Sequence, residues 1–375
     1  MWVALYWATA GFEAAGGAGW LWLAGPPATL IWAGLSRVPL MLAWRLLGTR
    51  WPVWAWLPAA WALGEAWLES AIGLQNDAWL FGQWQAEPVL RALAVVGWVP
   101  TLLACLMLFS AVGAALAGSR KAAGVAAVLV AVGFALPARV PQPPGILATV
   151  GAVHLNALEQ APDTVPDGLS LLVWPEQITE RRTRIAEGPS RSARRLRMPA
   201  MKPGMHQLVG SAVHADEGEL NAVIALAPDG RVIAVRGKRR LFPLVERPLF
   251  GWMAPGAVRF KTGRAPTHFD LGSTRVGSLV CLESFDRALM HEVRASGAAL
   301  MAISANDELL GGSADGDRQM LGLTVLRAVE SHLPIARSSL HGRAALVGAD
   351  GRVWAWSPRG ANGVLRLADM EPKER

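Results

Sequence analysis

From Val89 to Ala117 the chain carries one charged side chain, Arg91. A run so long and so apolar fits the interior of a bilayer, which takes about 20 apolar residues to cross. It does not stand alone. Residues 2–23 are uncharged except for Glu13 and residues 28–47 except for Arg37 and Arg45, with Pro26-Pro27 breaking the two apart. This is the pattern of a helical hairpin and not of a cleavable leader, because the apolar spans continue past any cleavage point. A third span runs from Trp51 to about Leu68 and ends in Glu65 and Glu69; its density of tryptophan suits the interfacial belt of a membrane. Val89–Ala117 is the fourth span and Ala122–Leu136, barely long enough, the fifth. The sequence therefore predicts an α-helical transmembrane domain of about five spans over residues 1–138. Its internal charges, Glu13, Arg37 and Glu65, either pair within the bundle, the reading favoured here, or mark a functional cavity.

Short loops give the orientation. Arg45 and Arg50 lie between spans two and three, and Arg120 and Lys121 between spans four and five, so these loops face the cytoplasm. The loop with Glu69, Asp77 and Glu87 then lies on the other side. Five crossings leave the N-terminus inside and everything after Arg139 outside, which in a Gram-negative inner membrane is the periplasm. The net charge of +7 is in part this topological signal, which weakens a nucleic-acid reading. Seven arginines at 181, 182, 184, 191, 194, 195 and 197 mark a basic loop, either solvated and mobile or in contact with anionic phospholipid headgroups. Nucleic acid is the weaker partner for them, because no stacking aromatics are interleaved.

The texture changes after a proline-rich linker at 139–148. Most of the 18 tryptophans precede residue 100, whereas most charges follow residue 150. Short apolar runs at Ile146–His154, Leu169–Trp174, His206–Val213, Asn221–Leu226, Val232–Val235, Val276–Val280, Ala298–Ser304 and Ala344–Val347 read as strands. Asp-Gly turns at 227–230 and 348–351 join paired strands, and helical patterns cover Ser284–Ser296 and Asp317–Ser331. Residues 149–362 are thus an α/β layered domain, followed by a polar tail at 363–375. The two cysteines, Cys105 and Cys281, fall one in each half, so no disulfide is expected.

Three reactive residues stand at corresponding places: Glu176 after one strand, Lys238 after a second and Cys281 after a third. Open α/β sheets place their sites at such carboxyl ends. A lone cysteine there is more often a small buried hydrophobe, but a carboxylate and an ammonium at matching ends change its meaning. A thiolate attacks an acyl carbon, the carboxylate carries protons, and the lysine stabilises the oxyanion. With Ser284 capping the helix that follows, the helix start is expected to lower the Cys281 pKa. No His-Glu-x-x-His and no Gly-x-Ser-x-Gly occurs, so neither a metal nor a serine mechanism is expected, and no cofactor.

These motifs resemble the nitrilase, or carbon-nitrogen hydrolase, superfamily, and within it the apolipoprotein N-acyltransferases. Trp174-Pro175-Glu176 is similar to the family's Trp-Pro-Glu, and Lys238-Arg239-Arg240-Leu241-Phe242-Pro243-Leu244-Val245-Glu246 to its Lys-x-x-Leu-Val-Pro-Phe-Gly-Glu. Cys281-Leu282-Glu283 matches Cys-Tyr-Glu, and Asn306-Asp307-Glu308-Leu309-Leu310-Gly311 matches Asn-Asp-Ala-Trp-Phe-Gly. The resemblance implies an αββα sandwich, a catalytic triad Glu176, Lys238 and Cys281, and supporting roles for Glu246, Glu283 and Asn306. It also implies an acyl-cysteine intermediate, a phospholipid acyl donor and an amine or lipoprotein acceptor. Leu282, Leu244-Val245 and Glu308-Leu309-Leu310 depart from the pattern at positions that shape the family's substrate pocket. With few spans and the polar tail, the chain looks like the TraB-type conjugal transfer proteins of bacterial plasmids. Three functions follow from this: an acyltransferase or amidase linked to conjugal transfer, a diverged binding or assembly component of the conjugation apparatus, and a true apolipoprotein N-acyltransferase.

Overall fold

A computed structural model describes residues 41–369, apart from breaks at 47–49, 73–79, 81, 185, 190–201, 216–217, 243–244, 249–250, 252–257 and 311–312. The described residues group into two units that divide between Val140 and Pro141.

In the first unit helices cover Val53–Ile72, Glu87–Val96, Trp98–Leu116 and Arg120–Ala135. Among the described residues one helix, Trp98–Leu116, is long and apolar enough to cross a membrane, so five spans are not what the described helices amount to. The first two expected spans lie outside the described residues except for 41–46, which are helical. The expected fourth span is two helices. Gly97 stands at φ 77° between them, and Pro100 has no N–H to give the Val96 carbonyl, so the hydrogen-bond ladder breaks there. Helix Arg120–Ala135 has 16 residues, short of a crossing. Arg91, the charge inside the expected span, has a structural use: it pairs with Glu87 at 3.0 Å. It also donates to the Phe134 and Leu136 carbonyls, which a helix end leaves without internal partners.

Among the described residues the second unit has fourteen strands: β1 Val150–Leu155, β2 Leu171–Val173, β3 Thr179–Arg184, β4 Gly188–Pro189, β5 His206–Ala215, β6 Gly218–Leu226, β7 Val232–Gly237, β8 His268–Leu271, β9 Thr274–Val280, β10 Leu300–Asn306, β11 Ile335–Leu340, β12 Ala345–Val347, β13 Val353–Trp356 and β14 Gly363–Leu365. All eight expected strands are present. β3 takes up Arg181, Arg182 and Arg184, expected in a loop, while the other four arginines of that segment lie outside the described residues.

The strands form one sheet with the path β4-β7-β6-β5-β2-β1-β11-β10-β9-β8. β1, β2, β5, β9, β10 and β11 pair in parallel. β7 is antiparallel to β6, and β6 to β5, so β7 points the same way as β2. The carboxyl ends of β2, β7, β9 and β10 therefore share one edge. Where a sandwich implies two separate sheets, hydrogen bonding here joins the described strands into one. That sheet curls back on itself: β6 and β9, far apart along the path, touch across the core.

Alternation along the strands sorts the core onto two faces. Ala152, Val173, Leu208 and Val223 face one cluster with Val276, Val280 and Leu300. Their neighbours Val153, Leu172, Val209 and Ile224 face another with Trp174. Helices Arg287–Ala295 and Ala314–Ser331 lie outside the sheet, and the first is capped by Asp286, whose side chain accepts from Leu289 N. The expected cap, Ser284, instead donates to the Cys281 carbonyl at 2.8 Å.

Close packing of helix Arg287–Ala295 on β9 depends on Gly277, where an added Cβ would fall 2.1 Å from Val293 Cγ1. Gly277→Ala is expected to destabilise the domain by about 1–3 kcal/mol, the usual range for overpacking. Urea denaturation of the detergent-solubilised chain measures it.

Candidate active site

Four segments that leave the shared edge supply the site. β2 runs directly into Trp174-Pro175-Glu176. The Trp174 indole is fully buried and donates to Gln207 Oε1 at 2.7 Å, which anchors the segment. Beyond it the backbone of Pro175 and Glu176 lies against Gly210, where an added Cβ would be 2.1 Å from the Pro175 carbonyl oxygen. Only glycine lets the chain pass that closely. Gln177 then takes a positive φ of 55° and turns the chain away.

Glu176 is 4% exposed, and each of its oxygens is engaged. Oε1 accepts from Lys238 Nζ at 2.8 Å and from Asn221 Nδ2 at 2.6 Å. Oε2 accepts from the backbone N–H of Asn306 at 3.1 Å. Lys238, one residue past β7, is 2% exposed and also donates to Glu246 at 2.9 Å. Glu246 accepts from Asn221 Nδ2 at 2.5 Å and from Phe242 N at 2.6 Å. Burial works against the ammonium charge of Lys238, but the two carboxylates outweigh it and raise the pKa, so the lysine is a fixed cation. Glu176 is pushed up chiefly by burial, against the pull of Lys238, and Glu246 adds to the rise. That direction suits a group that takes and returns protons.

Cys281 opens the turn after β9 with φ 47°. A non-glycine residue in this region carries strain of about 1–3 kcal/mol, here held in place by the Ser284 hydroxyl on its carbonyl. The thiol is half-buried and donates to the Asn306 carbonyl at 3.7 Å. Burial, and next the Glu176 charge, push its pKa well above the ordinary thiol value, with Lys238 pulling the other way. The expectation of a lowered pKa is therefore corrected. The turn at Cys281–Phe285 is a single 3₁₀ turn, too short to offer a helix terminus that offsets desolvation. The raised pKa favours the neutral form of a thiol that feels the Glu176 charge.

The Asn306 peptide joins the two partners, its N–H on Glu176 and its carbonyl on the thiol. Its side chain forms the turn instead, accepting from Glu308 N at 3.0 Å. Glu283 makes none of these contacts. It is fully buried and receives a bidentate contact from Arg236 at 2.7 and 3.0 Å. It also accepts from the backbone N–H groups of Arg239, Arg240 and Val280. One carboxylate thus ties the turn of Cys281 to the turn of Lys238. A second brace lies beneath Asn306: Asp307 is held by Arg337 at 2.6 Å and by the Ser339 hydroxyl.

Asn221, Arg236 and the Arg337–Asp307 pair were not singled out from the sequence. A polar side chain inside Leu220-Asn221-Ala222-Val223-Ile224 is a legible signal, because buried amides must find partners. Among the described residues no group of three or more His, Cys, Asp and Glu is placed to hold a metal ion.

A family model described as carbon-nitrogen hydrolase matches residues 140–371. An apolipoprotein N-acyltransferase of Geobacter metallireducens is 29% identical over 54% of this chain and 41% of its own length. One of Allorhizobium ampelinum is 25% identical over 90% of this chain and 68% of its own length. The chain thus spans about two fifths of the first relative. An amidase from Nesterenkonia sp. AN1, with an adduct of acrylamide at its active-site cysteine, has 17% identity and a TM-score of 0.41 over 57% of this chain and 90% of that one.

Arg236→Met leaves the Glu283 carboxylate buried without its cation and is expected to cost about 3–5 kcal/mol in urea denaturation. The double variant Arg236→Met/Glu283→Leu should remain destabilised, because three backbone N–H groups then lose their acceptor.

Proposed function

We propose a reaction for this chain on one established premise, that it belongs to the carbon-nitrogen hydrolase family. It is an acyl-transfer or hydrolytic enzyme of that family, related to the apolipoprotein N-acyltransferases. In the proposed reaction Glu176 is the base, Cys281 the nucleophile and Lys238 the oxyanion stabiliser. The single observation that carries it is the Asn306 peptide, which holds the thiol and the carboxylate of Glu176 on its two sides while Lys238 holds the other carboxylate oxygen.

The thiol gives its proton to Glu176 as sulfur bonds to the acyl carbon. The carbonyl oxygen gains the electron pair and faces the Lys238 ammonium. Collapse expels the donor's alcohol or amine, which leaves with the proton from Glu176, and an acyl-Cys281 thioester remains. In the second half an amine or water attacks, Glu176 takes its proton, and that proton returns to sulfur.

The donor class in this proposal is a phospholipid acyl ester. Support comes from the relatives' shared name and from the first unit. Among the described residues every exposed large hydrophobic side chain except Val258 lies between Met41 and Val140, as expected of a lipid-facing surface. Residues 1–138 are proposed as the membrane anchor, 139–148 as its linker and the chain from 149 as the catalytic domain on the periplasmic face; the expected end at 362 is corrected, because β14, Gly363–Leu365, pairs with β1 and so belongs to the sheet. The positive-inside pattern of the loops supports that orientation. The link to conjugal transfer finds no support in the relatives named above, so the proposal stops at acyl transfer. Glu246 and Glu283 are assigned supporting roles, one on Lys238 and one on the turn that carries Cys281.

To test it, purified chain is incubated with vesicles of phospholipid bearing an alkyne-tagged acyl chain, and the Cys281 peptide is read by mass spectrometry. The expected result is a thioester-linked acyl mass on that peptide, absent in Cys281→Ser and formed about 10²–10⁴-fold more slowly in Glu176→Gln. An unmodified Cys281 with both the lipid and simple aliphatic amides would sink the reaction.

A further inference from the structure

Two carboxylates share one ammonium at this site, and charge alone does not explain why they stay together. Glu176 Oε1 and Glu246 both reach Lys238 Nζ, which places like charges side by side in a desolvated pocket. A third group sits between them. Asn221, in the middle of β6, is fully buried, and its Nδ2 donates to Glu176 at 2.6 Å and to Glu246 at 2.5 Å. Its backbone carbonyl accepts from Lys238 N at 2.6 Å, so one residue fixes the lysine's start and both of its counter-ions.

The orientation of the amide follows from chemistry. Turned over, Oδ1 would face two carboxylate oxygens, acceptor against acceptor. As placed, Oδ1 is buried with no hydrogen-bond partner. A buried acceptor is left unsatisfied so that the donor can serve two acids at once. An amide with only packing to do would not adopt that arrangement.

We propose that Asn221 is a positioning residue: its amide holds the Glu176 and Glu246 carboxylates together on Lys238 and keeps Glu176 free to take the Cys281 proton. This rests on Glu176 as the base. The groups that face Glu176 are Lys238, Glu246 and Cys281; Cys281 is faced in turn by Asp307 and, behind it, Arg337. Removing the Asn221 donor takes away a contact that favours the charged form of Glu176, so the base should ionise at higher pH.

The test uses iodoacetamide on the full detergent-solubilised chain, with the Cys281 peptide followed by mass spectrometry across an acid-to-alkaline series, and needs no acyl substrate. The thiol sulfur displaces iodide from the reagent and its proton goes to Glu176, so the acid limb of the rate reports the base. In Asn221→Ala the limb is expected to move upward by about one pH unit, in line with a lost charge-assisted hydrogen bond. Asn221→Asp, of the same shape but without the donor, should move it further, and Asn221→Ser, which keeps a hydroxyl donor, should move it less. A limb that stays put in the Asn221 variants but disappears in Glu176→Gln would overturn the role of Asn221 alone. A limb unchanged in Glu176→Gln as well would overturn the base assignment and this proposal with it. If the alanine and aspartate forms do not fold, by circular dichroism, the serine form decides by the same shift.

Discussion

The Lys238 ammonium is where the site begins, since a charge 2% exposed has no water to neutralise it. Removing such an ion from water costs several kcal/mol after relaxation, and the cost is offset only if every proton finds an acceptor. Two carboxylates accept from the ammonium, and supplying two sets like charges side by side that the Asn221 donor bridges. Each part of the cluster therefore presupposes the next. The lysine needs both acids, the acids need the amide, and the amide needs β6 alongside β7. The sheet path that puts β6 between β5 and β7 is thus a condition of the chemistry.

The same logic repeats one layer out. Arg236–Glu283 and Arg337–Asp307 are buried pairs, and each braces a turn at the candidate site. Buried pairs of this kind add little net stability against apolar packing, but removing one member is costly. What they give here is register. Glu283 fixes the turns of Lys238 and Cys281 relative to each other, and Asp307 braces the Asn306 peptide between Glu176 and the thiol. Cys281 can hold a positive φ because its flanking N–H and C=O groups are already committed, to Glu283 and Ser284.

Much of this was legible in the sequence where one residue type dominated locally. Strands with alternating or continuous apolar runs were, and so were Glu176, Lys238 and Cys281, because each follows such a run. β11 was not. Its Ile-Ala-Arg-Ser-Ser-Leu reads as polar, yet it is buried throughout, since Ser338 donates to the Ile303 carbonyl and Arg337 and Ser339 to Asp307. Polar residues whose partners lie thirty positions away look like surface until the fold is known. The expected fourth span departs in the opposite way. Hydropathy joins Val89 to Ala117 because it averages over Gly97 and Pro100, while the backbone answers to those two residues individually. The lowered thiol pKa was a local inference from a helix start, overruled by burial and a carboxylate that sequence distance hides.

The charge balance at the edge also decides how the thiol can react. Lys238 is already shared between two carboxylates and Arg337 is paired with Asp307, so a standing thiolate would add a further negative charge to a buried cluster whose nearby cations, among the described residues, are already paired. At close range and low dielectric such a charge is worth several kcal/mol, which agrees with the raised pKa of Cys281. In the proposed reaction the proton therefore leaves as the carbon–sulfur bond forms, and it goes to a group that is placed beforehand. That requirement makes the buried cluster intolerant of change, because any altered member leaves a charge uncompensated. Leu282, Val245 and Glu308 are only partly buried and carry no such obligation. They are also where the sequence parts from the family pattern. In the proposed function the ion network holds the chemistry, while these partly buried residues, outside that network, are free to vary.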